Sequence, residues 1–361
     1  MAQSLKLSNV WRIIREVDLE AIRREIHARF SLLVVDEREG DAERIRALLS
    51  PGGERLPHPW IVTGRANATL PDLPVPPVAA VLVARGSRLG AGSEAARASL
   101  NRLGVPVITV LVVDAPPGAV PADLGEVARL AIPAIDSASG RALAGALYST
   151  TARAQRYALG LQFPPLRDQV LDGLIEETAR ANAGYAFTTG LAEVVPVLTA
   201  PMNLGDMVIL TKNQLLMGYR IVLIAGRDGD PRSMIGEILG VLGGGLLFRQ
   251  AARQLVGLIP VWGVLPKVAI AYGGTWAIGR ALAAWATEGR AVTAQTVRLL
   301  STEGLARGRR VAESMVARAR GTGERTSSRW ARLSRQWPLA GRRRWRQGPA
   351  TTPPGVDPPD R

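Results

Sequence analysis

Between an apolar run at 78–84 and a helical stretch at 93–103 lies Gly86-Ser87-Arg88-Leu89-Gly90-Ala91-Gly92-Ser93. Glycines and a serine at a strand-to-helix turn are the groups an anion needs. Glycine lets backbone N–H groups face the anion, and a helix N-terminus adds partial positive charge. Gly86, Gly90, Gly92 and Ser93 are therefore the candidate ligands of a phosphate or carboxylate. The turn lacks the lysine of a P-loop and has no G-x-G-x-x-G spacing. Those absences favour the plainer reading, a connecting loop with Ser93 as helix N-cap.

Other groups with chemical potential are few. Asp36, Glu37, Glu39 and Asp41 form an acidic run after an apolar stretch at 31–35. Carboxylates so spaced can hold a divalent cation, but most such runs are solvated loops, and no metal is assigned. Asp36 and Asp114 each follow a strand-like run, where parallel sheets build their sites, and both serve equally as caps or turn residues. The chain has no cysteine and two histidines, His27 and His58. Disulfides, thiol nucleophiles, thiolate metal sites and His-rich metal centres are excluded. His27 lies on a charged helix and His58 in a Pro-rich loop, so nothing positions either as the base of a Ser-His-Asp site. No catalytic residue and no cofactor are expected.

Farther along, Glu237, Arg249, Arg253, Lys267 and Arg280 interrupt long apolar stretches. Arg249 and Arg253 are four apart and share a helix face. Charges among apolar neighbours are costly unless paired. They form either a polar network or anionic-lipid contact, or ordinary ion pairs and surface positions.

The elements that carry these residues change character along the chain. At 361 residues it can hold two cores. The net charge of +14 is almost wholly arginine, with lysine only at Lys6, Lys212 and Lys267. Residues 9–30 read as an amphipathic helix, with Ile13, Val17, Ile22, Ile26 and Phe30 at helical spacing. The charge-dense residues 8–30 contain no apolar core of a signal peptide. Strand-like runs at 31–35, 60–63, 78–84, 105–113 and 131–135 alternate with helical stretches at 41–49, 93–103 and 124–130. That order predicts an α/β domain over 31–138, a parallel sheet with helices on both faces.

Past 139 the pattern turns helical. Connecting helices are expected at 139–161 and 164–182. An apolar, glycine-rich, all-α domain follows over 184–288, with segments near 186–200, 206–225, 233–247, 247–258 and 266–288. Asp230-Pro231 is a helix start, and Pro266 opens the last segment in the same way. Gly243–Gly245 and Gly273-Gly274 allow close helix approach. Residues 289–318 read as one more amphipathic helix. Residues 319–361, rich in Arg, Ser, Gly and Pro with Trp330, Trp337 and Trp345, read as a disordered basic tail.

One ordered series of motifs carries a resemblance. It runs through Leu210-Thr211-Lys212-Asn213-Gln214-Leu215-Leu216-Met217, Gly226-Arg227-Asp228 and Glu237-Ile238-Leu239-Gly240. Arg249, Arg253, Leu258-Ile259-Pro260 and Lys267 follow, then Ala269-Ile270-Ala271-Tyr272-Gly273-Gly274-Thr275 and Ile278-Gly279-Arg280. Residues 184–288 thus resemble the domain-of-unknown-function 697 family. Residues 10–36 resemble the lead-in of GTPases fused to it. The resemblance implies an Era-type or TrmE-type GTPase-like domain in front and membrane association of the helical domain.

The same resemblance implies GTPase motifs, and they are missing. After Val34-Val35 comes Asp36-Glu37-Arg38-Glu39-Gly40-Asp41, with one glycine, no Gly-Lys-Ser/Thr and a surplus of carboxylates that repel a triphosphate. No Asp-x-x-Gly follows 60–63, and Val112-Val113 stand where a base-reading Asn-Lys belongs. Ser137-Ala138-Ser139-Gly140 is similar to the last motif but one residue short. The expectation is a degenerate, non-catalytic GTPase-like protein, a scaffold or adaptor with membrane lipids as partners, at the cytoplasmic face of the membrane or in the cytoplasm. The alternatives are a soluble helical interaction module and a residual nucleotide binder with an unorthodox phosphate loop. For the basic tail lipid ranks before nucleic acid, which is not an expected partner.

Overall fold

The computed structural model describes residues 17–51, 53–69, 71, 73, 75–113, 129–192, 204–243 and 264–335. The chain divides into two compact units, Met1–Glu313 and Ser314–Arg361. In the second, the described residues are helical as far as Arg335. The α/β layer and most of the helices belong together to the first unit, so the expected boundaries at 138 and 183 both fall inside it.

Five parallel strands form one sheet: β1 (Ser31–Asp36), β2 (Ile61–Arg65), β3 (Pro77–Arg85), β4 (Val107–Val112) and β5 (Arg129–Ile132). Their order is β2-β1-β3-β4-β5. The central strands are continuous apolar runs because helices cover both faces. Leu33 and Val35 with Ala80 and Leu82 pack under Ala96 and Leu100 of α3 (Ala91–Arg102). Alternate strand residues face the opposite way. There α2 (Asp41–Leu49) lies on β1 and β2, α4 (Ser137–Thr150) lies on β4 and β5, and the two helices touch. The expected α/β class is observed. The last strand begins at Arg129, earlier than the expected 131, and residues 114–128 lie outside the described residues.

The remaining helices are α1 (Leu19–Ile26), α5 (Arg153–Gln162), α6 (Arg167–Ala192), α7 (Leu204–Ile224), α8 (Pro231–Gly243), α9 (Val264–Glu288) and α10 (Ala294–Arg335). Helix α1 is the described part of the lead-in. Asp18 caps it by accepting from the Ala21 N–H, and it ends at His27. The single helix expected over 139–161 is broken, because Thr151 is extended and ends α4 before Arg153 opens α5. Asp230 starts α8 as expected, accepting from the Ser233 N–H at 2.9 Å. Helix α10 runs well past 318, where the tail was expected to begin.

Helices α6 and α9 run antiparallel: Asp172 meets Arg280 near one end, and Asn182 meets Thr275 farther along. Helices α7 and α9 run the same way, since Gln214 reaches Thr275 and Arg227 reaches Trp285 and Ala286. Between α9 and α10 the backbones nearly touch. A Cβ on Gly273 would lie 2.7 Å from the Gly304 carbonyl, and one on Gly308 would strike the Ala269 carbonyl. Gly274 faces open space, so only the first glycine of that pair makes the expected close approach.

Candidate functional site

The strand order reverses direction between β1 and β3. In a doubly wound sheet that reversal opens a crevice beyond the strand carboxyl ends, the usual place for a ligand. Here the chain's own side chains meet in it. Asp36 ends β1 and is 2% exposed. Its Oδ2 accepts from the Ala42 N–H at 3.0 Å, and its Oδ1 has no hydrogen-bond donor and lies 3.7 Å from Arg65 Nε. Asp41, buried in the first turn of α2, accepts two parallel hydrogen bonds of 2.8 Å from Arg85 at the end of β3. Glu37 Oε1 accepts from the Gly90 N–H at 2.5 Å.

The candidate anion turn is therefore occupied from within. The Gly86 N–H donates to the Val112 carbonyl, and its φ of 95° requires glycine. Gly90 caps α3 and gives its N–H to Glu37. A Cβ on Gly92 would strike the Asn67 side chain. Ser93 is not the N-cap: α3 begins at Ala91, which makes Gly90 the cap and puts Ser93 in the first turn, buried, with an unpartnered hydroxyl. Two of the four candidate donors, the Gly86 and Gly90 N–H groups, are thus already engaged within the chain. Glu37 supplies the negative charge that a helix N-terminus favours.

A cleft of about 440 Å³ beside this crevice is lined by Arg38, Arg44, Arg46 and Arg85 and by Glu39, Asp41, Glu43 and Glu54. The signs balance, so it offers no net field to an anionic substrate. Among the described residues no group of three or more His, Asp or Glu could hold a metal ion. Asp114 lies outside the described residues. His58 Nδ1 accepts from the Trp60 N–H at 3.2 Å, and its ring lies 4.6 Å from that of Phe163. Burial pushes its pKa below the usual value. His27 Nδ1 lies against the Arg23 carbonyl at the end of α1. Both histidines have structural partners, and the His58 backbone N–H donates to the Ser50 hydroxyl at 2.9 Å.

The helical part contains a buried polar cluster that residue spacing alone did not reveal. Asn182 and Thr275 are fully buried. Asn182 Nδ2 donates to Thr275 Oγ1 at 2.8 Å, and Asn213 Nδ2 donates to Asn182 Oδ1 at 2.7 Å. Gln214 Nε2 also donates to Thr275 Oγ1, at 3.1 Å, while Thr275 donates to the Ala271 carbonyl. Asn213-Gln214 and Thr275 belong to two separate motifs of the resemblance, and they meet here. The available signal was an isolated asparagine on the apolar face of α6.

Of the charged residues singled out in the helices, Arg280 pairs with Asp172 on α6. Burial raises the Asp172 pKa, and Arg280 opposes that shift. Nearby, Arg307 pairs with Glu303 at 2.9 Å and sits over the Trp276 ring, and Tyr272 donates to Glu176 at 2.5 Å. The Asp172–Arg280 and Glu303–Arg307 pairs line a cleft of about 430 Å³ together with Glu176, whose ion-pair partner Arg180 lies outside the lining. Glu237 is exposed on α8, Lys267 is half-buried and engaged, and Arg249 and Arg253 lie outside the described residues.

A second hub ties the two parts of the unit. Glu177 on α6 accepts from Tyr148 of α4 at 3.0 Å, Tyr157 of α5 at 3.1 Å and Arg156 at 2.9 Å. Burial, reinforced by Glu177, pushes both tyrosine pKa values up. A side chain at Gly173 would strike the Tyr148 ring.

No protein-family model, curated protein or solved structure matches this chain. Among the described residues no helix is long and apolar enough to cross a membrane.

Proposed function

We propose that this chain is a non-catalytic, GTPase-like scaffold or adaptor that associates with a membrane through its helical part. One observation carries the non-catalytic half. The crevice where a phosphate would bind holds the Asp41–Arg85 pair, and the Gly90 amide beside it is taken by Glu37. A triphosphate would have to displace bound carboxylates and then face Asp36 and Asp41, both buried. The parallel five-stranded sheet is compatible with the GTPase-like resemblance, and the loop after β1 stands where a P-loop would. The test is titration of the full chain with a fluorescent GTP analogue and Mg²⁺. No saturable signal is expected. Saturation at micromolar concentration overturns the reading in favour of a residual nucleotide binder.

The membrane half is supported by the apolar, glycine-rich composition of 184–288 and by the family resemblance. A soluble helical interaction module is the second reading. It is favoured by the burial of Leu215, Met217, Tyr219 and Ile221 of α7 and Tyr272, Ala277 and Leu282 of α9 within the unit. Carbonate extraction of cell membranes separates the two. Full recovery in the soluble fraction before any wash decides for the module.

A further inference from the structure

Helix α3 opens on Gly90, which holds the cap position and has no side chain to offer the first turn. The Glu94 N–H makes the first backbone bond, back to the Gly90 carbonyl. An α-helix leaves its earliest N–H groups without intrahelical partners. Here the N–H groups of Ala91, Gly92 and Ser93 have no acceptor among the described residues, and the Gly90 N–H alone is taken, by Glu37. The acidic residue within this turn, Glu94, is paired with Arg97 at 2.7 Å.

The buried side chain of the same turn is also unsatisfied. Ser93 is fully buried, and its hydroxyl has no hydrogen-bond partner. In a helix the Cα–Cβ bond leans toward the N-terminus, so this hydroxyl is directed back at the open first turn. A buried hydroxyl without a partner is costly, and an acceptor oxygen at the turn removes that cost. Arg88, exposed just before the helix, has no hydrogen bond or ion pair among the described residues. Two glycines keep the backbone within reach. A Cβ on Gly90 would lie 2.9 Å from Glu37 Oε1, and one on Gly92 would strike the Asn67 side chain.

We infer that the N-terminus of α3 is a latent site for a phosphate-type oxyanion and that Glu37 is the latch that closes it. The ligand contacts are the N–H groups of Gly90, Ala91, Gly92 and Ser93, the Ser93 hydroxyl and the Arg88 guanidinium. A carboxylate brings two oxygens and a single charge to these donors. A phosphate dianion brings more acceptor oxygens and twice the charge, so it competes with Glu37 for the Gly90 N–H. Glu37 is half-buried on the loop between β1 and α2, so its side chain can turn toward solvent while the sheet stays in place. The inference is independent of the GTPase-like and membrane readings, because this turn follows β3 and a P-loop would follow β1.

Full-length wild type, E37A, E37Q and E37A/S93A are titrated with inorganic phosphate by calorimetry. Each is also melted in phosphate, acetate or chloride at matched ionic strength. A closed latch lowers the apparent affinity by the fraction of chains in which it is open, so E37A should bind phosphate about tenfold more tightly than wild type. E37Q keeps an acceptor for the Gly90 N–H, and with it the local structure, and should fall between the two. Adding S93A should weaken phosphate binding about fivefold without lowering the melting temperature of the phosphate-free chain, because the deleted hydroxyl has no partner to lose. No phosphate binding by either E37A or E37Q overturns the site. Equal affinity in wild type and E37A overturns the latch. Acetate that stabilises E37A as far as phosphate does assigns the site to carboxylates and overturns the phosphate assignment. The GTP titration reads separately, since a blank there leaves the phosphate result untouched.

Discussion

Asp41 and Arg85 hold each other through two parallel 2.8 Å hydrogen bonds across the carboxyl end of the sheet, joining the first turn of α2 to the last residue of β3. Asp41 is 3% exposed, so its charge depends on this partner. Removing one member of such a pair strands a charge. R85A should lose about 2 kcal/mol in urea unfolding, a figure reduced from the buried-pair range because Arg85 is about a third exposed. R85K should recover only part, because an ammonium cannot reproduce the planar fork. The double variant D41A/R85A should lose less than the sum of the singles. Additive losses would show that the pair has no coupling energy.

Thr275 is the shared acceptor of two side-chain amides, from Asn182 and Gln214. Valine keeps its shape and deletes the oxygen. T275V should cost about 2–3 kcal/mol, since two buried or half-buried N–H groups lose their acceptor. T275S keeps the oxygen and should cost about 1 kcal/mol, chiefly for the lost methyl group. Equal losses in thermal melts would mean that packing, and not the amide cluster, sets the cost.

The α9–α10 seam separates two glycines that look alike in sequence. G308A places a methyl group against the Ala269 carbonyl, where backbone meets backbone and neither side chain can yield. A loss of at least about 2 kcal/mol is expected. G274A adds a methyl group in open space inside a helix and should be neutral or stabilising by up to about 1 kcal/mol. Circular-dichroism melts of the two variants decide the matter, and a neutral G308A would dissolve the seam.

His58 makes a pH prediction with a definite sign. Burial lowers its folded-state pKa below 6.5, so the fold prefers the neutral ring. Its contribution to stability is complete above the unfolded pKa and is lost as pH falls through the folded value. In H58N the amide oxygen can still accept from the Trp60 N–H, and nothing at this site titrates. The stability difference between about pH 7 and pH 5 should therefore shrink in H58N. An unchanged pH slope would remove His58 as its source.

Local features of the fold were legible before the structure. Strands β1, β3 and β4 announced themselves as apolar runs because both faces of the sheet are covered, and Asp230-Pro231 announced α8 through its cap. The break at Thr151 was not legible, because neither glycine nor proline marks it and Glu177 reaches across from α6 to fix the helices on either side. The crevice was legible only by its acidic composition. Arg85 lies 44 residues from Asp41, and Gly90 lies 53 from Glu37, so the pairings are products of tertiary structure. Ser93 was misplaced as a cap because helix boundaries shift by a residue or two relative to sequence signals.

The contact of Gly304 and Gly308 with α9 also restricts how the chain can change in length. Each residue added to a helix turns everything beyond it by about 100°. A single insertion between Val297 and Gly304 would swing both glycines off Gly273 and Ala269 and bring side chains to the place where two backbones meet. Insertions of three or four residues would restore the facing within about a sixth of a turn, at the expense of sliding α10 lengthwise. The helical turn thus quantises the admissible lengths of this stretch, and variation by one or two residues should be purged from any lineage that keeps the seam.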